Sequence, residues 1–286
     1  MEAALYCVAT PIGNLGDITE RAVRVLGMAD VIYAEDTRVT RKLLTHLGIQ
    51  KPLRSLHEHN EADRVEEIQA AIAGGECVAL VSDAGTPLIS DPGYQLVNRL
   101  VGCGIRVIPV PGVSAVITAL SAAGLPTDRF CFEGFLPARG NLRRKALAAL
   151  KTVTATLVFY ESSHRIADFL SDVQQIFGDQ REVVIARELT KLYEQFYRGT
   201  AAKLQQQIMQ DDNMRKGEFV VMVAGAPKSA AEGAETALDT TQLLTVLVDE
   251  LPIRQAAAIA ARLTGQAKNS LYRQAMAIQQ ATDLAE

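Results

Sequence analysis

CVALVSDAGTPLISDPG, Cys77–Gly93, passes in one step from five apolar residues to a loop crowded with Gly, Pro and Asp. The run Cys77–Val81 suits a strand buried on both faces of a parallel sheet. Gly85, Pro87, Pro92 and Gly93 then force a rigid loop around the apolar pair Leu88 and Ile89. Such a pair can pack an adenine or a thioether while loop amides bind polar edges. Asp83 and Asp91 flank the pair. Turn or cap duty is open to both, and for Asp91, ahead of Pro92-Gly93 and a helix, the cap is the expectation.

Working outward, the same grammar recurs. Ala4–Ala9 runs into TPIGN, Val31–Ala34 into EDTR, and Arg106–Val110 into PGVSA. Ala155–Tyr160 runs into ESSHR and Val183–Ala186 into RELTK. Open α/β sheets bind ligands outside the carboxyl ends of their strands. Gly and Pro also simply punctuate turns. Turn chemistry, however, does not require Glu, Asp, Arg and His at so many strand ends, so the pattern predicts one large shared site.

Helical periodicity fills the intervals. Asp17 with Glu20 reads as a capping box for a helix carrying Ile18, Ala22, Val25 and Leu26 on one face and stopping at Gly27. Arg38–Leu47, Glu61–Ala73 and Gly93–Val101 read as further helices. Short-looped alternation predicts a parallel sheet with helices on both faces. A second alternating section follows a pivot at Pro109–Ala115, with a helix over Val113–Ala123. Strands are expected at Phe130–Phe132, Ala155–Tyr160, Val183–Ala186, Gln195–Arg198 and Phe219–Ala224, with some antiparallel pairing around Glu194–Gly199. Gly225–Thr236 is small and polar, a linker in composition. Beyond it, helices are expected at Gln242–Glu250, from Pro252 to Gly265, and over Asn269–Gln280. The last two read equally as a helix-turn-helix or as an Ala-rich packing hairpin. The expected domains are thus 1–113 and 114–226, both α/β, and a helical 237–286.

At 286 residues the chain suits two domains and an appendage, given ~100–200 residues per domain. With 48% hydrophobic and 22% charged residues it can build a full core. The net charge of −4 gives no global pull toward nucleic acid, so such contact needs a local patch. Cys7, Cys77, Cys103 and Cys131 are widely spaced, which argues against zinc fingers and a disulfide framework. The start has no basic n-region and breaks at Pro11, unlike a signal peptide. No apolar run approaches the ~18 residues of a membrane span. The expectation is a soluble, cytoplasmic protein with no membrane contact.

TPIGNLGD, Thr10–Asp17, lacks the G-x-G-x-x-G spacing, and no G-K-S or G-K-T occurs, so a phosphate cradle is poorly supported. Pro11 and Gly13 instead offer a stiff turn on whose backbone a ligand could press. His57-Glu58-His59 lies in a loop, where alternate residues share no face, so no metal is expected.

TPIGNLGDIT, AEDTR, VSDAGTPLISDPG, VIPVPGVSAV, FYESSHR and RELTKLYE, in this order, resemble the class III (tetrapyrrole-methylase-like) S-adenosylmethionine-dependent methyltransferases. Within them the chain resembles the ribosomal RNA small subunit methyltransferase I family, from about Leu5 to Ala226, and the helical tail also fits. The resemblance implies two α/β domains of the tetrapyrrole-methylase type with a small C-terminal helical domain, and a homodimer. It implies S-adenosylmethionine as methyl donor, without metal, and methylation of a cytidine ribose 2′-hydroxyl in the decoding region of 16S rRNA in the small ribosomal subunit. It places the donor against Ala84–Ile89, including Gly85, Leu88 and Ile89, and against Ser114, Ala115, Tyr160, Glu161 and Leu189, opening beside Pro11 and Gly13. The chain departs from the tetrapyrrole enzymes in one place, with Ala84-Gly85-Thr86 where they have G-D-P.

Transfer to a hydroxyl needs in-line placement and removal of a proton. Strand-end candidates are Glu35, Asp36, Arg38, Glu161, His164, Arg165, Arg187, Glu188 and Lys191, with Asp36, Arg38, Glu188 and Lys191 as the expected catalytic set. Local ion pairing is the competing role for Asp36 with Arg38 and for Arg187 with Glu188. Arg139, Arg143, Arg144, Lys145 and Lys151 form an acid-free basic run. Arg143, Arg144 and Lys145, with His164, Arg165, Lys268 and Arg273, are the expected RNA contacts, a solvated helix face being the alternative for the run. Two rival functions remain: a small-molecule methyltransferase on the same fold, and a non-catalytic nucleotide-sensing protein that binds DNA. The basic run and tail argue against the first, the many polar strand ends against the second.

Overall fold

Period-2 alternation in Ala4–Val8 (β1) sends Ala4, Tyr6 and Val8 to one side and Leu5 to the other, and both sides are buried. That demands a layer on each face. A computed structural model describes residues 1–57, 60–227 and 240–283. In it β1 is joined by Val31–Ala34 (β2), Leu53–Ser55 (β3), Cys77–Val81 (β4) and Val107–Val110 (β5), in the order β3-β2-β4-β1-β5. All their pairings are parallel. Helices Glu20–Met28 (α1) and Thr37–His46 (α2) cover one face through Ala22, Leu26 and Leu44. Glu61–Ala73 (α3) and Tyr94–Gly102 (α4) cover the other through Ile68, Leu96 and Leu100.

Three local expectations are corrected here. Asp17 does not cap the first helix. Asn14 caps a 3-10 turn at Leu15–Asp17, and Thr19 caps α1, whose Ala22 N–H donates to Thr19 Oγ1 at 3.1 Å. The helix runs through Gly27 to Met28. Asp91 does not cap α4 either. That helix follows Gly93, at φ +122°, and its Leu96 N–H donates to Glu61 Oε1 of α3 at 2.6 Å. The short edge strand β3 carries too little pattern to be read from three residues.

The second sheet has the order β6-β7-β10-β8-β9. Its strands are Phe130–Phe135 (β6), Thr156–Ser162 (β7), Glu182–Arg187 (β8), Gln195–Thr200 (β9) and Glu218–Val223 (β10). Only β6 and β7 pair in parallel; β10 runs antiparallel to both β7 and β8, and β9 is antiparallel to β8. Ala115–Ala123 (α5) packs Val116, Ala119 and Leu120 on one face of this sheet. Gly140–Ala149 (α6), Ile166–Phe177 (α7) and Ala201–Gln210 (α8) complete this half.

Both sheets belong to one compact unit, Met1–Lys151 with Ala155–Ala224. Thr152–Thr154 and Gly225–Glu286 form the other. In the latter, Thr240–Glu250 (α9), Ile253–Thr264 (α10) and Lys268–Asp283 (α11) enclose a small core of Leu244, Ala257, Ala260, Leu271 and Ala275. Gly265, left-handed at φ +70°, ends α10 as the sequence foretold. Most of the expected linker, 228–236, lies outside the described residues, as do Glu58 and His59. Among the described residues no helix is long and apolar enough to cross a membrane, and no cluster of His, Cys, Asp and Glu has metal-site geometry.

Candidate active site

Neighbouring parallel strands deliver neighbouring loops, and β1 and β4 lie side by side. Their loops are laced by a two-bond bridge, Thr10 N–H to Gly85 O at 2.8 Å and Gly85 N–H to Thr10 O at 3.1 Å. Thr86 Oγ1 donates to Val113 O at 3.0 Å, tying in the chain after β5. The loop contains Gly85 at φ +83°, and also Leu88 at +74° and Ser90 at +65°. Non-glycine residues in that region cost ~1–3 kcal/mol each and persist where the surroundings over-determine them.

A cleft of about 450 Å³ opens here, with Ile12, Ala84, Ala115, Phe135 and Leu189 as its apolar wall and Asp91, Tyr160, Glu161 and Glu218 as its polar one. A recess of about 60 Å³ adds Gly85, Thr86, Ile89 and Ser114. Of the expected donor-binding positions, Ala84, Gly85, Ile89, Ser114, Ala115, Tyr160, Glu161 and Leu189 are therefore brought together. Three are not. Leu88 packs into the core beside Leu80 and Gly93. Pro11 is buried, and Ile12 lines the cleft in its place. The space where a Gly13 Cβ would stand is filled by Lys191 and Thr190, so no ligand can press on it from that side.

Tyr160 stands edge-on to Phe132 and Phe135, at 4.8 and 5.5 Å between ring centres. Burial, with the nearby Asp91 charge, pushes its hydroxyl up to about 12. Burial also raises Asp91, assisted by Asp83 and opposed by a bond from Ser82. Glu161 is 2% exposed. Its Oε1 accepts the Ser162 N–H at 2.7 Å and lies 3.3 Å from Arg165 Nε, while Oε2 has no partner. Burial raises it despite Ser162 and the two arginines Arg165 and Arg143.

Glu188 and Lys191 meet beside this cleft. Lys191 Nζ lies 2.9 Å from Glu188 Oε1 and 2.9 Å from Glu218 Oε2, and the Glu218 N–H donates to Glu188 Oε1 at 3.0 Å. Burial alone would raise Glu188, but the bonds from Lys191 and Glu218 outweigh it and hold the carboxyl below its usual range. Glu188 and Thr190 both have positive φ, +50° and +64°. Asp36 and Arg38 stand apart from this wall at the end of β2. Asp36 caps α2 through Arg38 N–H at 2.8 Å and pairs with the Arg38 side chain at 2.5 Å, which holds its carboxyl down at about 2. Its own N–H donates to Asp83 at 2.9 Å. The local pair, the competing reading for Asp36 and Arg38, is the geometry found.

The basic run divides. Arg143 is 5% exposed, with Nε 2.7 Å from the buried Asp172 carboxylate, so it is a structural ion and not a phosphate contact. Arg144 shares Asp172 at 3.1 Å but remains partly exposed. Arg165 is tied to Leu136 O at 2.7 Å and to Glu161, and so holds the chain after β6 rather than reaching outward. Lys145, His164, Lys268 and Arg273 are exposed.

Glu218 and Gly217 escaped sequence reading for a definite reason. The rule that points to carboxyl ends of strands holds for parallel sheets. Because β10 is antiparallel, its beginning lies in this wall: Glu218 pairs with Ser162, and Phe219 with both Glu161 and Arg187. Asp91 is legible in the sequence, but its place before Pro92-Gly93 points to a cap, whereas it lines the cleft.

A family model of tetrapyrrole (corrin/porphyrin) methylases matches residues 4–205. One described as the RsmI C-terminal HTH domain matches 234–279. The chain is 50% identical over 275 residues to "Ribosomal RNA small subunit methyltransferase I" of Escherichia coli O157:H7, covering 96% of this chain and 95% of that one. It is 52% identical to the protein of the same name from Xylella fastidiosa strain Temecula1, covering 94% and 97%. Among solved structures it resembles the methyltransferase CobJ (TM-score 0.58, 20% identity, 78% of this chain and 94% of that one). It also resembles the cobalt precorrin-4 methyltransferase CbiF (TM-score 0.55, 18% identity, 78% and 95%). At those identities the structural likeness concerns the fold.

Proposed function

The chain belongs to the ribosomal RNA small subunit methyltransferase I family, and we propose that it moves a methyl group from S-adenosylmethionine to the ribose 2′-hydroxyl of a cytidine in the decoding region of 16S rRNA. The observation that carries this reading is near-50% identity over almost the whole length, helical tail included. A small ring substrate gives no reason for that tail.

The cleft suits the donor. Its volume lies within the ~300–1,000 Å³ of small-molecule sites, and apolar walls with a few polar groups are what such a ligand takes. Ala84 and Gly85, with Ala115 and Leu189, would hold the apolar parts, and Glu161 and Asp91 face the polar ones. The sulfonium of the bound donor supplies an already activated methyl group. The protein's task is then to place the hydroxyl in line and receive its proton. Placement is worth ~7–11 kcal/mol, against ~10²–10⁴-fold for a base. A rigid, strained loop suits the larger of those tasks. Burial raises the proton affinity of two cleft carboxyls, Asp91 and Glu161. Glu161 is held by the Ser162 N–H and Arg165, and in this reading Asp91 accepts the proton. The Glu188–Lys191–Glu218 cluster keeps the wall in place. Asp36 and Arg38, with Lys145, His164, Lys268 and Arg273, meet the RNA. The working form in this reading is a cytoplasmic homodimer acting on the small subunit.

The test mixes the protein, labelled donor and small subunits from a strain lacking the enzyme, with and without chelator, and maps the label. Label on one cytidine ribose, unchanged by chelation, is the expected result. Label on a base, or transfer to a tetrapyrrole instead, overturns the proposal.

A further inference from the structure

Gly217 has a second face. Besides the cleft it lines a separate groove of about 590 Å³, bounded by Tyr193, Tyr197, Arg187, Asn213 and Lys216. Glu188 fills the space beside Gly217 and also lines this groove.

The groove's chemistry is not that of a protein core. Tyr193 is 67% exposed at the tip of the loop between β8 and β9, next to Leu192 at 87%. Tyr197 follows on the edge strand β9, its hydroxyl bonded to Gln195. Arg187 is 8% exposed, yet its guanidinium is bonded to two backbone carbonyls, Lys216 O at 2.7 Å and Tyr193 O at 3.3 Å, and to no carboxylate within ion-pair distance among the described residues. Its positive charge lies in the groove wall, where it also helps to hold down the neighbouring Glu188 carboxyl. Two acids also line the groove. Glu188 is paired with Lys191, and Asp211 accepts the Asn213 N–H at 2.9 Å. Lys216 is exposed, and its Nζ donates to the Asn213 amide oxygen at 3.5 Å.

An exposed tyrosine, Tyr193, with the half-buried Tyr197 beside it and the exposed Lys216 and the Arg187 guanidinium in the same groove, is a combination that suits single-stranded nucleic acid: bases stack on the rings and phosphates approach the charges. We propose that this groove holds an unpaired nucleotide of the substrate RNA, adjacent in sequence to the one whose ribose enters the cleft. The proposal rests on the RNA reading above and adds the subsite. Its ligand class is an unstacked ribonucleotide, taken by stacking and charge with little base preference.

The experiment measures binding of fluorescent oligocytidylate to the full-length protein by anisotropy at several salt concentrations. Tyr193→Ala with Tyr197→Ala should weaken binding roughly tenfold or more, since each stacked base contributes substantially. Tyr193→Phe with Tyr197→Phe should restore it, because the ring and not the hydroxyl does the binding. Lys216→Ala should flatten the salt dependence by about one contact. On small subunits the alanine pair should raise KM and leave kcat. Wild-type oligonucleotide affinity in the alanine pair overturns the proposal, as does loss of self-association with RNA binding intact, which would make the groove an interface with a second copy. If the wild type transfers no methyl to rRNA, the functional reading fails, while the oligonucleotide measurement still judges the groove.

Discussion

Gly217 lacks a side chain because Glu188 occupies its place: a Cβ built on Gly217 would stand 2.6 Å from Glu188 Cδ. The relationship joins the start of β10 to the end of β8, and Gly217 adds a φ of +102° that side-chain-bearing residues rarely adopt. Glu188, Lys191 and Glu218 are held together only while that space is open.

Gly217→Ala should therefore lower the melting temperature and slow methyl transfer. The strained conformation alone costs ~1–3 kcal/mol, and eviction of Glu188 adds to it. In a Glu188→Ala background the same change should cost less, with a coupling of ~0.5–3 kcal/mol between the two sites. Equal costs in both backgrounds would show that Glu188 does not fill the space.

Asp91→Asn separates stability from activity. Burial raises the Asp91 pKa in the folded protein, so folding favours its protonated form. The destabilisation is therefore absent below the unfolded pKa and complete above the folded one. At neutral pH the asparagine variant should melt at the same temperature as the wild type or higher. Turnover should fall by ~10²-fold or more, and the acid limb of the wild-type pH–rate profile, displaced above the ordinary aspartate range, should vanish. A variant with wild-type turnover removes Asp91 from the chemistry.

Glu61→Ala exposes a long-range cap. It strands the buried Leu96 N–H at the start of α4, whose own cap position, Gly93, has no side chain to offer. A loss of ~1–3 kcal/mol in denaturant unfolding is expected. Glu61→Gln, which keeps an acceptor oxygen, should recover most of it. Identical losses in the two variants would point to packing rather than the hydrogen bond.

Arg143 and Lys145, two residues apart, should behave in opposite ways. Arg143→Ala leaves Asp172 buried with only Arg144 beside it, a cost of ~3 kcal/mol for breaking a buried pair. Lys145→Ala should leave the melting temperature unchanged and reduce the salt dependence of RNA binding by about one contact. A stable Arg143→Ala protein with a flattened salt slope would return that residue to the surface.

Some features were legible because they are local. Five apolar residues at Cys77–Val81 followed by Gly85 and Pro87 specify a buried strand and a stiff loop without reference to the rest of the chain. Glu61–Ala73 was read to its ends, and Gly265 to its left-handed cap, because helical period and terminal residues lie within a few positions of each other. The family resemblance rests on the same strand-to-loop segments.

Other features depend on which strands become neighbours. Asp91 was given cap duty because a loop residue before a helix does that work on average; Glu61, thirty residues away in the chain, does it here. Arg143 reads as one cation in a basic run until α6 packs on α7 and Asp172 meets it. Gly217 and Glu218 entered the site because β10 runs antiparallel to β7 and β8. Sequence determined many of the elements, their loops and the family, because period and turn chemistry act over a few residues. Tertiary structure alone decided which charges are buried, which glycine is filled from across the sheet, and which ends of strands share a wall, because those depend on contacts between segments far apart in the chain.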